Sequence, residues 1–203
     1  MDNTDRKRFL AYLSVFNTEN QITGFSEKLS RNEIEVSPRL ERLVHIISYC
    51  LMNNHFHILL VQARDNGIAK FMQKLGTGYT MYFNKRYERV GSLFQGVFKA
   101  VRVDTDEYLS YLHQYIHANP LDFSEPEWRQ NKIKNTAKAL ERVRNYPWSS
   151  FSYYAGETDN PIIDNESVIE LFKNKKLISD NMREWLNDIS AKNNTLNSGL
   201  ILE

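Results

Sequence analysis

His55 and His57 stand one residue apart at the head of the apolar run "NNHFHILLV", residues 53–61. Alternate side chains of a strand share a face, so the two imidazoles point the same way, roughly 6–7 Å apart along the chain. Two ligands of one metal ion can bridge that distance. Phe56, between them, points the opposite way, into a core. A lone histidine on an apolar strand more often packs as a satisfied core residue, whereas a pair on one face needs buried partners for the nitrogens of both rings. Core packing and metal ligation both stand open on this stretch alone. Its donors suit an ion content with nitrogen and oxygen, such as magnesium or manganese, with zinc also admissible.

A second constellation lies in "EYLSYLHQYIHANP", residues 107–120. Leu109, Leu112 and Ile116 make an apolar stripe at helical spacing, and Tyr108, Tyr111, Tyr115 and Asn119 mark the neighbouring face. One reading is a tyrosine-rich amphipathic helix that ends at Asn119 before Pro120. The other makes Tyr115 a nucleophile and Asn119, one turn on, the donor of a carbonyl oxygen to the same metal as the histidines. A phenol, with a reference pKa near 10, is a useful attacking group only beside a base or a cation that neutralises the phosphate it approaches.

Positioning these groups requires a sheet and helices. "DRKRFLAYLSVF", residues 5–16, is an amphipathic helix, and "LVHIISYCLM", residues 43–52, is a strand of a well-covered sheet. Asn53 and Asn54 supply turn chemistry through the left-handed conformation that asparagine tolerates. "HFHILLVQ" follows as a second strand, so residues 43–62 read as a hairpin or a bulged continuation. A long helix over 68–83 follows, with Ile68, Phe71, Met72, Leu75, Tyr79, Tyr82 and Phe83 on one face. "LFQGVFKAVRV", residues 93–103, reads as another strand with a glycine interruption, and Asp104 with Glu107 as a capping box for a helix over about 105–118. A helix near 134–144, the apolar cluster "YPWSSFSYY", two short amphipathic helices within 166–191 and a frayed last dozen residues complete the chain. Strands separated by such helices, with an antiparallel pair, imply an α+β sandwich.

Composition sets the bounds. The chain has 203 residues, 41% of them hydrophobic, enough for one packed domain with a small appendage. Its single cysteine, Cys50, excludes an internal disulfide framework and a cysteine-based zinc cluster. The sequence shows neither an apolar stretch of bilayer-spanning length nor a signal-peptide core, which predicts a soluble, cytoplasmic protein that uses no membrane. The net charge of +1 hides an uneven distribution. Lys70, Lys74, Lys85, Arg86, Arg89, Lys99 and Arg102 make the middle basic, and acidic residues crowd from Asp104 to Glu127.

Four stretches together resemble the REP-associated branch of the single-tyrosine HUH transposases. They are "YCLMNNHFHILL", "FMQKLGTGYTMYFNKRYERVGSLFQGVFKAVRV", "YLHQYIHANP" and "YPWSSF", in the family's order and nearly its spacing over residues 41–155. The resemblance implies a ferredoxin-like α+β core with helices packed on an antiparallel sheet. It implies His55, His57 and Asn119 as ligands of a divalent ion, Mg2+ or Mn2+, and Tyr115 as the nucleophile. The implied reaction is nicking and strand transfer of single-stranded DNA at hairpins through a 5'-phosphotyrosine link. Lys85, Arg86, Arg89, Gln95, Lys99 and Arg102 are the candidate DNA contacts, and the expected state is monomer or homodimer. A catalytic domain is expected over 1–155, with an irregular insert at 17–42, and a helical extension over 156–203. The family also begins with a strand ahead of the first helix, whereas this sequence opens almost at that helix. A hairpin-binding protein derived from such an enzyme but inactive, and a metal-dependent hydrolase without a covalent intermediate, are the alternatives.

Overall fold

The computed structural model describes residues 2–20, 39–173 and 175–191. Most of the expected 17–42 insert, and the expected frayed tail from residue 192 on, lie outside the described residues. The fold is α+β, with helices packed on an antiparallel sheet. Helix α1 (Asn3–Val15) is closed by a reciprocal cap in which the Asp2 and Asp5 carboxylates each accept the other's N–H at 2.9 Å. Strands β1 (Val44–Leu51) and β2 (Phe56–Gln62) pair antiparallel, from Val44 opposite Gln62 to Leu51 opposite Phe56. The register slips between Ile46 and Ser48, which makes Ile47 the extra residue of a bulge.

The connection between the strands differs from the expectation, because neither Asn53 nor Asn54 has a positive φ. Side-chain hydrogen bonds shape it instead. Asn53 Oδ1 accepts from Arg6 at 2.8 Å, Asn54 Oδ1 lies 2.8 Å from His55 Nδ1, and the Met52 N–H donates to the His55 carbonyl at 2.9 Å.

Helix α2 (Gly67–Tyr87) buries Phe71, Leu75 and Tyr79 and shares one face of the hairpin with α1. There Phe9 packs on Phe56 at 4.8 Å and edge-on against Tyr79 at 5.0 Å between ring centroids, pairs worth about 0.5–1.5 kcal/mol each beyond the area they bury. The C-terminal end of α2 is tied to α1 by Arg86, which donates to the buried Asp5 carboxylate at 2.7 Å and to Asp2 at 2.6 Å. Helix α3 (Asp106–Ala118) covers the opposite face. Its cap is Thr105, whose hydroxyl accepts from the Tyr108 N–H at 3.1 Å, so the cap lies one residue beyond the expected Asp104 and is a single bond, the expected capping box with Glu107 being replaced. Thr105 has the extended backbone that a cap needs.

Residues 93–103 are not a strand. Gly91 and Gly96, at φ +91° and +88°, bend the segment out of any ladder, and Phe94 anchors it on Phe56 and Tyr79 at 5.9 and 6.3 Å. Phe94 docks on the hairpin and α2 and not beside a strand, and Val97 and Val101 stay exposed.

The outer edge of β1 is covered by the chain from "YPWSSFSYY" onward. The Leu51 N–H donates to the Trp148 carbonyl at 2.8 Å, the Ser150 N–H to the Tyr49 carbonyl at 3.0 Å and the Asp164 N–H to the Ile46 carbonyl at 2.9 Å. Tyr154 donates its hydroxyl to the carbonyl of Ile47, the bulge residue. Four further helices, α4 (Thr136–Arg144), α5 (Phe151–Tyr154), α6 (Asn165–Phe172) and α7 (Lys175–Ala191), build the rest of that side. α4, α5 and α7 bury a second apolar cluster with Leu121, Trp128 and Ile133 of the loop after α3.

Two measurements test this packing. A Cβ at Gly67 would lie 2.1 Å from the Leu43 carbonyl oxygen, whereas at Gly76 its nearest neighbour is Phe94 at 4.0 Å. Denaturant unfolding should show Gly67→Ala destabilised by about 1–3 kcal/mol and Gly76→Ala stabilised by about 0.5–1 kcal/mol. The second concerns His113 and His117, both fully buried on the inward side of α3. Burial pushes His117 down to about 3 and His113 well below the ordinary histidine range. The unfolded chain therefore binds protons that the folded chain refuses once pH falls below about 6.5, so stability is full above that pH and declines beneath it. Melting temperature should drop between pH 7 and 5. Replacing His113, whose ring nitrogens have no partners among the described residues, by leucine should flatten that decline.

Candidate active site

The alternation along β2 sends Phe56 toward α1 and α2 and His57 toward α3. The His57 ring lies edge-on to Tyr115 at 6.2 Å and edge-on to His55 at 5.1 Å between centroids. His55 belongs to the connection before the strand and is exposed, and His57 is half-buried. Nε2 of His57 is inaccessible to solvent and makes no close, well-aligned hydrogen bond among the described residues, although the Asn119 side chain is near enough to favour the protonated ring; this is a costly arrangement for a ring nitrogen unless it has something to bind. Burial first, then the neighbouring His55 and Arg129, pushes the His57 pKa down to about 4. Burial lowers that of His55 as well. Both rings are therefore neutral near pH 7, the form in which imidazole ligates metal.

Helix α3 delivers the other groups. Tyr108, Tyr111 and Tyr115 stack up its face at successive centroid distances of 6.5 and 6.0 Å. Asn119 follows one turn on and is fully buried. Its amide nitrogen donates to the Tyr115 and Ile116 carbonyls at 2.9 and 3.2 Å. The Ile116 carbonyl lacks a helical partner because the residue four on is Pro120, whose ring carries no N–H. With the nitrogen committed to the helix end, Oδ1 is the atom that Asn119 presents to the site.

Arg129, which is not among the expected site residues, completes the cluster. Its guanidinium donates from Nε to the Tyr115 hydroxyl at 3.1 Å, from Nη2 to Asn119 Oδ1 at 2.8 Å and from Nη1 to the Asp122 carboxylate. Burial opposes its charge, but the bonds to Asp122 and Tyr115 prevail and raise its pKa. The side chain is placed by its neighbour Trp128, which is buried in the second apolar cluster, donates to Asp122 at 2.7 Å and lies under the guanidinium at 4.5 Å. Trp185 of α7 stands 6.2 Å from Trp128 and 6.1 Å from Tyr111, closing that wall. One signal in the sequence could have found the arginine: no lysine or arginine occurs between Arg102 and Arg129, so it is the first cation after a long acidic stretch.

The structure thus brings His55, His57, Tyr115 and Asn119 together. It places the six candidate DNA contacts apart from them: none makes a hydrogen bond, ion pair or ring contact with those four among the described residues. Gln95 lines a groove of about 730 Å³ between α2 and the 91–98 segment, on the Phe56 side of the hairpin. Lys85 and Lys99 are exposed, Arg89 lies over Phe83 at 5.8 Å, and Arg102 pairs with Asp104 at 2.6 Å. Arg86 is held by Asp2 and Asp5 and so belongs to the scaffold as much as to any surface for DNA.

Two neutral imidazoles and an amide oxygen are a donor set that suits a divalent ion of the Mg2+ or Mn2+ kind, and the lack of a close, well-aligned hydrogen bond at Nε2 of His57 is the observation that favours one. No group of three or more His, Cys, Asp or Glu is gathered for a metal among the described residues. An ion here therefore depends on the amide of Asn119 for its third protein ligand.

Compared with known proteins, residues 15–119 match the family model described as "Transposase IS200 like". No curated protein and no solved structure matches the chain. The matched segment ends on Asn119 and so contains both histidines and Tyr115 but not Arg129. Among the described residues no helix is long and apolar enough to cross a membrane.

Imidazole titration by NMR checks the electrostatics of the site. His57 should stay neutral through pH 6 and take its proton near pH 4. A midpoint near 6.5, the reference value, would mean that the ring is solvated.

Proposed function

The chain belongs to the IS200-like transposase family, and from that premise we propose that it nicks single-stranded DNA at hairpins and rejoins it through Tyr115. The observation that carries this reading is the placement of the Tyr115 ring against His57, whose buried Nε2 makes no close, well-aligned hydrogen bond among the described residues. His55, His57 and Asn119 would hold the ion, which when bound supplies Lewis-acid polarisation of the scissile phosphate. Tyr115 is positioned for attack by its place on α3, one turn before the helix end. The phenol gives up its proton, its oxygen forms a bond to phosphorus, and the bond from phosphorus to the 3'-oxygen breaks. That 3'-oxygen takes up a proton and leaves as a hydroxyl, while the 5'-phosphate remains on Tyr115. Attack by another 3'-hydroxyl reverses the exchange onto a new strand. One phosphodiester linkage is traded for another, so no nucleotide cofactor is consumed.

In this reading the catalytic unit spans 1–155, and the extension over 156–203 contributes Trp185 to the wall beside Tyr111 and Trp128. The stacked face of Tyr108 and Tyr111 offers a path for bases toward the nucleophile.

Incubation with single-stranded hairpin DNA and Mn2+ should yield a protein–DNA adduct that survives denaturation. Tyr115→Phe should abolish it, and His57→Ala should reduce it at least about a hundredfold. Cleavage that persists in Tyr115→Phe would replace the tyrosine mechanism with attack by water. Hairpin binding without an adduct, under any metal, would leave a binding protein in its place.

A further inference from the structure

Arg129 holds the two atoms on which the proposed reaction turns. A planar guanidinium with a fixed fork of donors engages several acceptors at once, and here it spans the Tyr115 hydroxyl, Asn119 Oδ1 and Asp122. The Asn119 amide has no alternative orientation to offer, because its nitrogen is bonded to two helix-end carbonyls. Its single oxygen is therefore the atom the ion would use, and it already accepts from a cation. A monovalent and a divalent cation on one oxygen repel each other, and Asp122 offsets only part of that repulsion. The arginine cannot drift away without cost, since it is stacked on Trp128 at 4.5 Å and lies over Tyr115 at 5.6 Å.

We propose that Arg129 is a positioning residue that fixes Tyr115 and Asn119 before the metal arrives and competes with the metal for the Asn119 oxygen. Ion binding weakens the hold of Nη2 on Asn119, and the guanidinium keeps its bond to the Tyr115 hydroxyl through Nε. The arginine therefore lowers metal affinity and raises the rate of attack, two effects of opposite sign from one side chain. This inference rests on the reading of His55, His57 and Asn119 as the metal site.

The opposite signs provide the test. Mn2+ titrations followed by electron paramagnetic resonance should show Arg129→Met binding the ion about fivefold more tightly than the wild type, with Arg129→Lys between the two. At saturating Mn2+, the adduct rate of Arg129→Met on the oligonucleotide that the wild type cleaves should fall about tenfold, with little change in KM for DNA. A merely structural role would weaken both. Unchanged or weaker Mn2+ binding in Arg129→Met, or an adduct rate within about threefold of the wild type, overturns the proposal; should that variant fail to fold, Arg129→Gln is read by the same criteria. If instead the wild type and His57→Ala bind Mn2+ equally poorly, the metal-site reading itself fails and takes this inference with it.

Discussion

The two-residue period of β2 is the constraint on which everything else in the molecule depends. Phe56 and His57 are adjacent in sequence, and the pleat turns one into an aromatic core with Phe9, Tyr79 and Phe94 and the other toward Tyr115. A slip of one residue in the hairpin would exchange them, placing an imidazole in an apolar cluster and a phenyl ring against Tyr115. The packing of α1 and α2 is therefore also what aims His57. The bulge at Ile47 lies on β1, between the Ile46 and Ser48 pairings and well away from the end where Leu51 meets Phe56, so the register at the histidines is undisturbed.

On the other side of the hairpin the site depends on how α3 ends. Pro120 stops the helix, Asn119 satisfies the Ile116 carbonyl left behind, and the chain then folds through Leu121 to Trp128 into the second apolar cluster. Burying an indole is among the largest single contributions a side chain makes to a small core, so Trp128 fixes the loop and Asp122 and Arg129 with it. The charge arrangement follows. Burial of the Arg129 guanidinium would be unfavourable alone, and the Asp122 carboxylate is its counterion.

Much of this arrangement was readable in the sequence, and the exceptions have physical reasons. The hairpin, the long second helix and the tyrosine face of α3 follow from periodicity, which is local. The opposite facing of Phe56 and His57 follows from alternation alone. The strand expected at 93–103 does not form because an apolar run does not record what lies beside it; two left-handed glycines and a docked Phe94 decide the matter. The asparagine turn failed in its backbone detail, since side-chain bonds to Arg6 and His55 come from partners that composition does not reveal. Arg129 had only a weak signal for a related reason: its importance depends on Trp128 meeting α7, more than fifty residues further along the chain.

The two strands are not equally secured. β1 has hydrogen-bonded neighbours on both sides, β2 on one and the 148–164 segment on the other, whereas β2 has no strand against its outer edge among the described residues. Amide protons buried in a ladder exchange with solvent only when the ladder opens, and the cost of opening rises with the number of neighbours that must part. Exchange should therefore be slowest along β1 and faster on the outward amides of β2. The strand that bears His57 is thus the less secured of the two in its backbone, and the packing of Phe56 on Phe9 and Phe94 is what keeps the imidazole turned toward Tyr115 when that ladder breathes.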